Sequence, residues 1–249
     1  MKVDTLLTER QADSPDAARE AEEAGYDGAW LGEVQHDPFV ALAVAGTVTN
    51  RIELGTGIAI AFARSPMVTA VAANDVQSYS EGRFVLGLGS QIKPHITKRF
   101  SMPWSSPAAR MREYVLAIRA IWRSWEVGEK LDFRGDFYSH TLMTPFFDPG
   151  PNPHGNPPIL LAGVGPLMTR VAGEVADGFF VHAFTTERYL REVTLPALAV
   201  GRAASGKNVH GFEISGLPFV ATGHTEEEFE AALVGTRKQI AFYASTPAY

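Results

Sequence analysis

Glu33, His36 and Asp37 fall within Glu-Val-Gln-His-Asp at residues 33–37, and their side chains are of the types that move protons or bind metals. One Glu-x-x-His is half of a di-iron motif, but that site takes two copies on helices and the chain has no second. No His-Glu-x-x-His occurs either, so no metal site is expected. Two readings remain. In one, the run is a surface turn in which Asp37 caps a helix opening at Pro38. In the other, it is a working turn at the end of a strand, where barrel enzymes keep their chemistry. A second cluster, Lys93, His95, Lys98 and Arg99 within QIKPHITKRF, is a solvated basic loop or an anion site. Residues 201–208, GRAASGKN, imitate a phosphate loop. They lack its Ser/Thr and follow a helix, so they read as a helix end.

Glycine supplies a third pattern. Three apolar runs each carry Gly-x-Gly: Gly55 and Gly57, Gly87 and Gly89, Gly163 and Gly165. None extends to the third glycine of a dinucleotide fingerprint. Glycine weakens a strand interior, so each pair marks a bulge, a special backbone conformation or the close approach of a ligand. Recurring in three runs, the pattern suggests several strand ends facing one ligand. The third pair precedes a helix whose free N–H groups suit a phosphate, with Thr169 and Arg170 in its first turns. Close strand–helix packing is the other reading of those glycines.

The elements that would position these groups follow from the order of apolar runs and caps. Strands are expected at residues 3–7, 28–31, from 52, 84–88, 159–162, 178–182 and 212–221. Helices are expected at 17–24, 38–48, 66–79, 110–125, 166–176, 186–204 and 226–243, the last capped by Thr225. Strand–helix units in series imply a parallel α/β sheet. The alternation is interrupted at residues 91–158, which hold a loop with three prolines, an amphipathic helix, a hairpin around Gly135 and a Pro-rich stretch. Met143, Phe146 and Phe147 in that stretch either cover a pocket or pin the loop. Seven strands can be counted, so the (β/α)₈ barrel that fits this length lacks its eighth; a doubly wound open sheet is the alternative.

Bulk properties narrow the function. The 249 residues are 45% hydrophobic and 20% charged, with net charge −6 and no cysteine. This argues against a general nucleic-acid binder, a disulfide-built secreted protein and a cysteine nucleophile. No apolar stretch approaches a membrane span, and the N-terminus turns polar too soon for a signal peptide. The expectation is a cytoplasmic homo-oligomer acting on a small molecule, with no nucleic-acid or membrane partner.

The segments GYDGAWLGE, IELGTGIAIAFARSP, SEGRFVLGLGS, FRGDFY and LLAGVGP...AGEVADG, in this order, resemble the luciferase-like monooxygenase superfamily. The closest branch is that of oxidoreductases dependent on coenzyme F420, a deazaflavin. The resemblance covers essentially the whole chain. It implies one domain over residues 1–249: a (β/α)₈ barrel with an insertion at about 91–158 and an incomplete C-terminal end. It also implies a non-prolyl cis peptide at Gly57-Ile58 against the cofactor ring. The phosphate side would be held by Gly89, Ser90 and Gln91, and by Gly163, Val164 and Gly165. Glu33 and His36 would lie beside the reactive face as catalytic residues. In several relatives the histidine directly follows the acidic residue, a place taken here by Val34. The implied activity is hydride transfer between F420 and a small organic substrate, with Lys93, Lys98 and Arg99 meeting the acidic tail of F420. The alternatives are a monooxygenase using reduced FMN and oxygen, an isomerase or lyase for a phosphorylated substrate, and a non-catalytic flavin-binding protein.

Overall fold

The computed structural model describes residues 1–7, 11–206 and 210–245. Its centre is a curled parallel sheet built from β1 (Asp4–Leu6), β2 (Gly28–Leu31), β3 (Glu53–Thr56), β4 (Ala59–Ile60), β5 (Phe84–Gly89), β8 (Ile159–Ala162), β9 (Gly178–Val181) and β10 (Glu213–Gly216). The strand order is β1-β2-β3-β5-β8-β9-β10, with β4 also paired to β5. Each step is parallel, so the strands share one C-terminal end. Helices α1 (Ser14–Glu23), α2 (Pro38–Val48), α3 (Pro66–Tyr79), α5 (Pro166–Val175) and α7 (Leu195–Ala204) fill the connections between strands. This is, among the described residues, the open, barrel-like parallel sheet with seven strand positions that the sequence led one to expect. Among the described residues β1 and β10 are the free edges, and Lys2 Nζ crosses between them to within 3.7 Å of Glu213.

Local chemistry explains the helix starts. Asp37 accepts from Phe39 N, Ser65 from Val68 N and Thr186 from Tyr189 N, each before or just inside a helical segment. Thr225 and Glu228 form a reciprocal capping box at α8 (Glu226–Ala244). Other boundaries differ from the sequence expectation. The last strand is Glu213–Gly216 rather than 212–221, since Pro218 cannot donate to a ladder. The first helix starts earlier than expected and takes in Ser14 and Pro15, with Asp13 at the cap and a 3₁₀ turn before it. The helix expected over 186–204 is a short α6 (Glu187–Tyr189), a π-helical turn at Leu190–Thr194 and then α7.

The insertion carries α4 (Pro107–Val127) and the hairpin of β6 (Phe133–Arg134) and β7 (Ser139–His140). The loop before α4 contains a π-helical turn at His95–Arg99. Helix α4 buries Tyr114, Ile118, Ile121 and Trp122. GRAASGKN is a helix end, as read: α7 stops at Ala204 and Gly206 has φ +69°, while Lys207 and Asn208 lie outside the described residues. Phe146 and Phe147 cover no pocket. They stand in solvent, packed edge-to-face on each other at 5.2 Å, and Met143 rests on the core.

The main core lies between sheet and helices, and a smaller cluster of Trp30, Val85, Leu160 and Phe180 fills the inside of the curl. The indole of Trp30 meets the Phe180 ring edge-on at 5.1 Å. This arrangement explains two of the strand glycines. A Cβ on Gly55 would lie 2.0 Å from Trp30 Cζ3, and one on Gly87 would lie 1.9 Å from the Thr56 carbonyl oxygen and 2.6 Å from Phe180. Here glycine makes room for the protein's own aromatic side chains and backbone. At the other end of the sheet Arg83 donates to Thr49 and to the carbonyls of Gly46, Thr49 and Ile52, tying the N-terminal strand ends together. Among the described residues no helix is long and apolar enough to cross a membrane.

Candidate active site

The third strand position breaks at the peptide Gly57-Ile58, which is cis. The β3–β5 ladder stops there, and side chains replace its missing partners. Thr56 Oγ1 donates to the Gly87 carbonyl at 2.7 Å and accepts from Gly87 N at 2.9 Å. On the β2 side, Gly57 N donates to Leu31 O and Glu33 N donates to Ile58 O. The Glu33 carboxylate then takes the next place in the ladder, accepting from Ile60 N at 2.7 Å. Every buried backbone group needs such a partner, and here the sequence supplies it with a hydroxyl and a carboxylate.

Glu33 is therefore a structural anion. Arg64 binds both of its oxygens, at 2.6 and 3.0 Å, and reaches Asp37 at 3.0 Å. The Glu33 and Arg64 side chains are only 7% and 14% exposed. Burial alone would push the Arg64 guanidinium down. The hydrogen bond and charge of Glu33, joined by Asp37, hold it above its ordinary value instead. Phe39 packs beneath the guanidinium at 5.5 Å. His36 lies on the same turn but is exposed to solvent. From the insertion, Arg99 donates to the Val34 carbonyl and stacks on Phe100. Lys93, His95 and Lys98 are exposed around it.

A cavity of about 760 Å³ runs along the β1 and β10 edges, from Lys2, Asp4 and Glu213 at the N-terminal strand ends to Gly57, Ile58 and His182 at the C-terminal ends. Its lining includes Trp30, Gly57, Ile58, Phe180, His182 and Tyr243. Of the residues expected at a cofactor, Gly57 and Ile58 thus line it. Glu33, His36, Gly89, Ser90, Gln91, Gly163, Val164 and Gly165 do not. The last six follow or end β5 and β8, around the same rim. Gln91 holds φ +58°, a left-handed backbone at a residue with a side chain. A Cβ on Gly89 would meet the Ile58 side chain at 3.0 Å, so that glycine makes room for Ile58. Gly165 caps α5 without a side-chain hydrogen bond, and among the described residues no atom beyond its chain neighbours lies within 4 Å of the place a Cβ would take. Open space therefore adjoins the N-terminus of α5, where the first N–H groups have no acceptor within the helix itself.

Sequence patterns did not single out Arg64 or His182. Arg64 is one arginine after an apolar run, and its partners lie 27 and 31 positions away. His182 directly follows β9, and the rule that barrel chemistry sits at C-terminal strand ends would have found it.

Several comparisons converge on one family. A protein of Mycobacterium tuberculosis is 53% identical over 249 residues, all of this chain and 73% of the relative. The F420-dependent glucose-6-phosphate dehydrogenase of Nocardia farcinica is 32% identical over 213 residues, 80% of this chain and 61% of the relative. Among solved structures, the coenzyme F420-dependent tetrahydromethanopterin reductase of Methanopyrus kandleri superposes with a TM-score of 0.79 at 20% identity, over 98% of this chain and 72% of that one. EDTA monooxygenase from Chelativorans gives 0.78 at 17% identity, over 96% and 66%. The family model for luciferase-like monooxygenases matches residues 3–249, and the chain belongs to that family of oxidoreductases.

Proposed function

We propose that this protein passes a hydride between coenzyme F420 and a small organic substrate. The observation that carries the reading is the α5 N-terminus. It is uncapped and faces open space at Gly165 on the rim of the barrel, which suits the phosphate of a flavin-type cofactor. Gly163, Val164 and Gly165 would hold that phosphate from one side, and Gly89, Ser90 and Gln91 from the other. Gly57 and Ile58 would border the ring. When bound, the deazaflavin supplies or accepts the hydride, and the protein orients the reactants and excludes water. Glu33 contributes by fixing the backbone at Ile60. His36, exposed on the adjoining turn, is the proton-exchanging candidate of that loop.

Preference for F420 over FMN rests on the exposed Lys93 and Lys98. F420 ends in an oligoglutamate tail and FMN does not. Contacts to such a tail are solvent-exposed, so each contributes about 0–1 kcal/mol and fades with salt. The test is titration with F420 and with FMN, followed by absorbance, for the wild type and Lys93→Ala/Lys98→Ala at low and high salt. F420 is expected to bind more tightly, with the double variant weakened at low salt only. Arg99 is left in place because it holds Val34. Tight FMN binding without F420 binding would replace this reading with the reduced-FMN monooxygenase.

A further inference from the structure

Two neighbouring helices on the outside of the sheet present apolar side chains where the helices flanking them present charge. Helix α1 turns Asp16, Arg19, Glu20 and Glu23 to solvent, and α4 turns Arg112, Arg123 and Glu126 outward. Between them stand α2 and α3, packed on each other. Helix α2, PFVALAVAGTV, has no charged side chain, and Asp75 is the only one on α3. A helix that is apolar all round is normally covered all round. The inner face of α2 is covered: Phe39, Leu42 and Ala45 sit in the core. Its outer face is not. Val40 and Val44 are 61% and 48% exposed, and Val68 and Val71 of α3 are 56% and 44% exposed.

The four valines form one patch. Both helices run back from the C-terminal ends of their strands, so they are parallel neighbours. Val40 and Val68 are each the third residue of their helix, and Val44 and Val71 follow one turn later. Ala43 and Ala72, partly buried, lie next to them, so large and small side chains alternate as ridges and grooves do between packed helices. Single exposed valines need no explanation, whereas an apolar face with a charged margin is the anatomy of an interface. With 11 and 14 residues, the two helices side by side present a face about 20 Å square. With its margins, such a face reaches the scale of about 800 Å² per partner at which protein pairs become stable.

We propose that this face is the contact between two copies of the chain, related by a two-fold axis that runs along the helices. A two-fold contact sets the same patch against itself. The chain has net charge −6, so copies repel over most of their surface, and the uncharged face is where they can approach. About that axis α2 lies on α3 of the other copy, and α1 comes opposite α4. The outward residues of α1 hold three acids and one base, and those of α4 two bases and one acid, so the margins attract. A membrane surface would be met by lysines or arginines beside the apolar residues, and neither helix has one. The pairing also bears on the candidate site. Asp37 caps α2, Arg64 directly precedes the Ser65 cap of α3, and the two are joined at 3.0 Å. A second copy laid across both helices therefore braces from outside the two turns that carry the Glu33–Arg64 pair.

Sedimentation velocity of the purified protein tests this. The wild type is expected at twice the 27.0 kDa mass of one chain. Val44→Lys/Val71→Lys brings like charges from both copies into the contact and should weaken pairing by about 10²-fold or more, leaving monomer. Both positions are exposed and lysine forms helix at least as well as valine, so the variant should keep the wild-type circular dichroism. Val44→Glu/Val71→Glu should be monomeric too. Mixing the lysine and glutamate variants should restore a dimer, because only a patch that faces itself brings the opposite charges together. Val200→Lys, on the exposed side of α7, is the control and should pair as the wild type does. A monomeric wild type would overturn the proposal. So would a lysine variant that stays paired, or lysine and glutamate variants that stay apart when mixed. Dissociation by Val200→Lys alone would move the contact to α7 and overturn it as well.

Discussion

Arg64→Ala is expected to lower folding stability by about 3–5 kcal/mol in equilibrium urea unfolding, the cost of stranding a buried charge. The variant leaves Glu33 with a single partner, Ile60 N, at a site where its side chain is 7% exposed. It also removes a donor to the Ile60 carbonyl and a contact to Asp37. Arg64→Lys should recover only part of the loss, since an ammonium cannot match the two-pronged contact with Glu33 while also reaching Asp37. Glu33→Gln is the informative partner. In the double variant Glu33→Gln/Arg64→Ala, much of the cost should disappear, because no uncompensated carboxylate remains. A loss under about 1 kcal/mol for Arg64→Ala would place the pair with ordinary surface ion pairs and remove its bracing role.

Trp30→Ala should cost about 3–5 kcal/mol, as for other large-to-small changes at buried aromatics. The side chain is 5% exposed and packs with Phe180 at the centre of the inner cluster. Its Nε1 donates to Asp4 Oδ2 at 2.9 Å, and Asp4 Oδ1 already has no partner, so the variant leaves the carboxylate without either. Trp30→Phe separates the two contributions. It keeps most of the apolar volume and loses the hydrogen bond, and should cost about 1–3 kcal/mol. Equal urea midpoints for all three proteins would mean that the inner cluster is loose enough to refill.

The sequence patterns carried the architecture well, because it rests on local signals. The run of strands and helices needed only apolar periodicity, Pro66 and Pro166 at helix starts, and caps such as Asp37 and Thr225. Edges were less legible. The stop of the last strand and the π-helical turns depend on packing that no local window contains. The cis peptide at Gly57-Ile58 was anticipated through family resemblance, whereas residue types alone left the glycines open among bulge, backbone and ligand. For Gly55 the answer was the Trp30 ring and for Gly87 the Thr56 carbonyl with the Phe180 ring, neighbours that only the folded chain brings into place. Glu33 was legible as an important position. Its commitment to Arg64 was not, since that depends on a contact across two strand–helix units.

The contrast between β5 and α8 has a consequence for how the molecule breathes. All six residues of β5 are buried and the strand is paired along both sides, whereas α8 has no buried residue. Amide protons in Phe84–Gly89 should exchange with solvent deuterium only when the whole molecule opens, while those in the middle of α8 escape through local fraying. Tyr243, near the C-terminal end of α8, stands against His182. Deuterium uptake therefore gives a clock for the cavity: a ligand seated between Ile58 and His182 that also engages Tyr243 should slow exchange in the last turns of α8 and leave β5 unchanged.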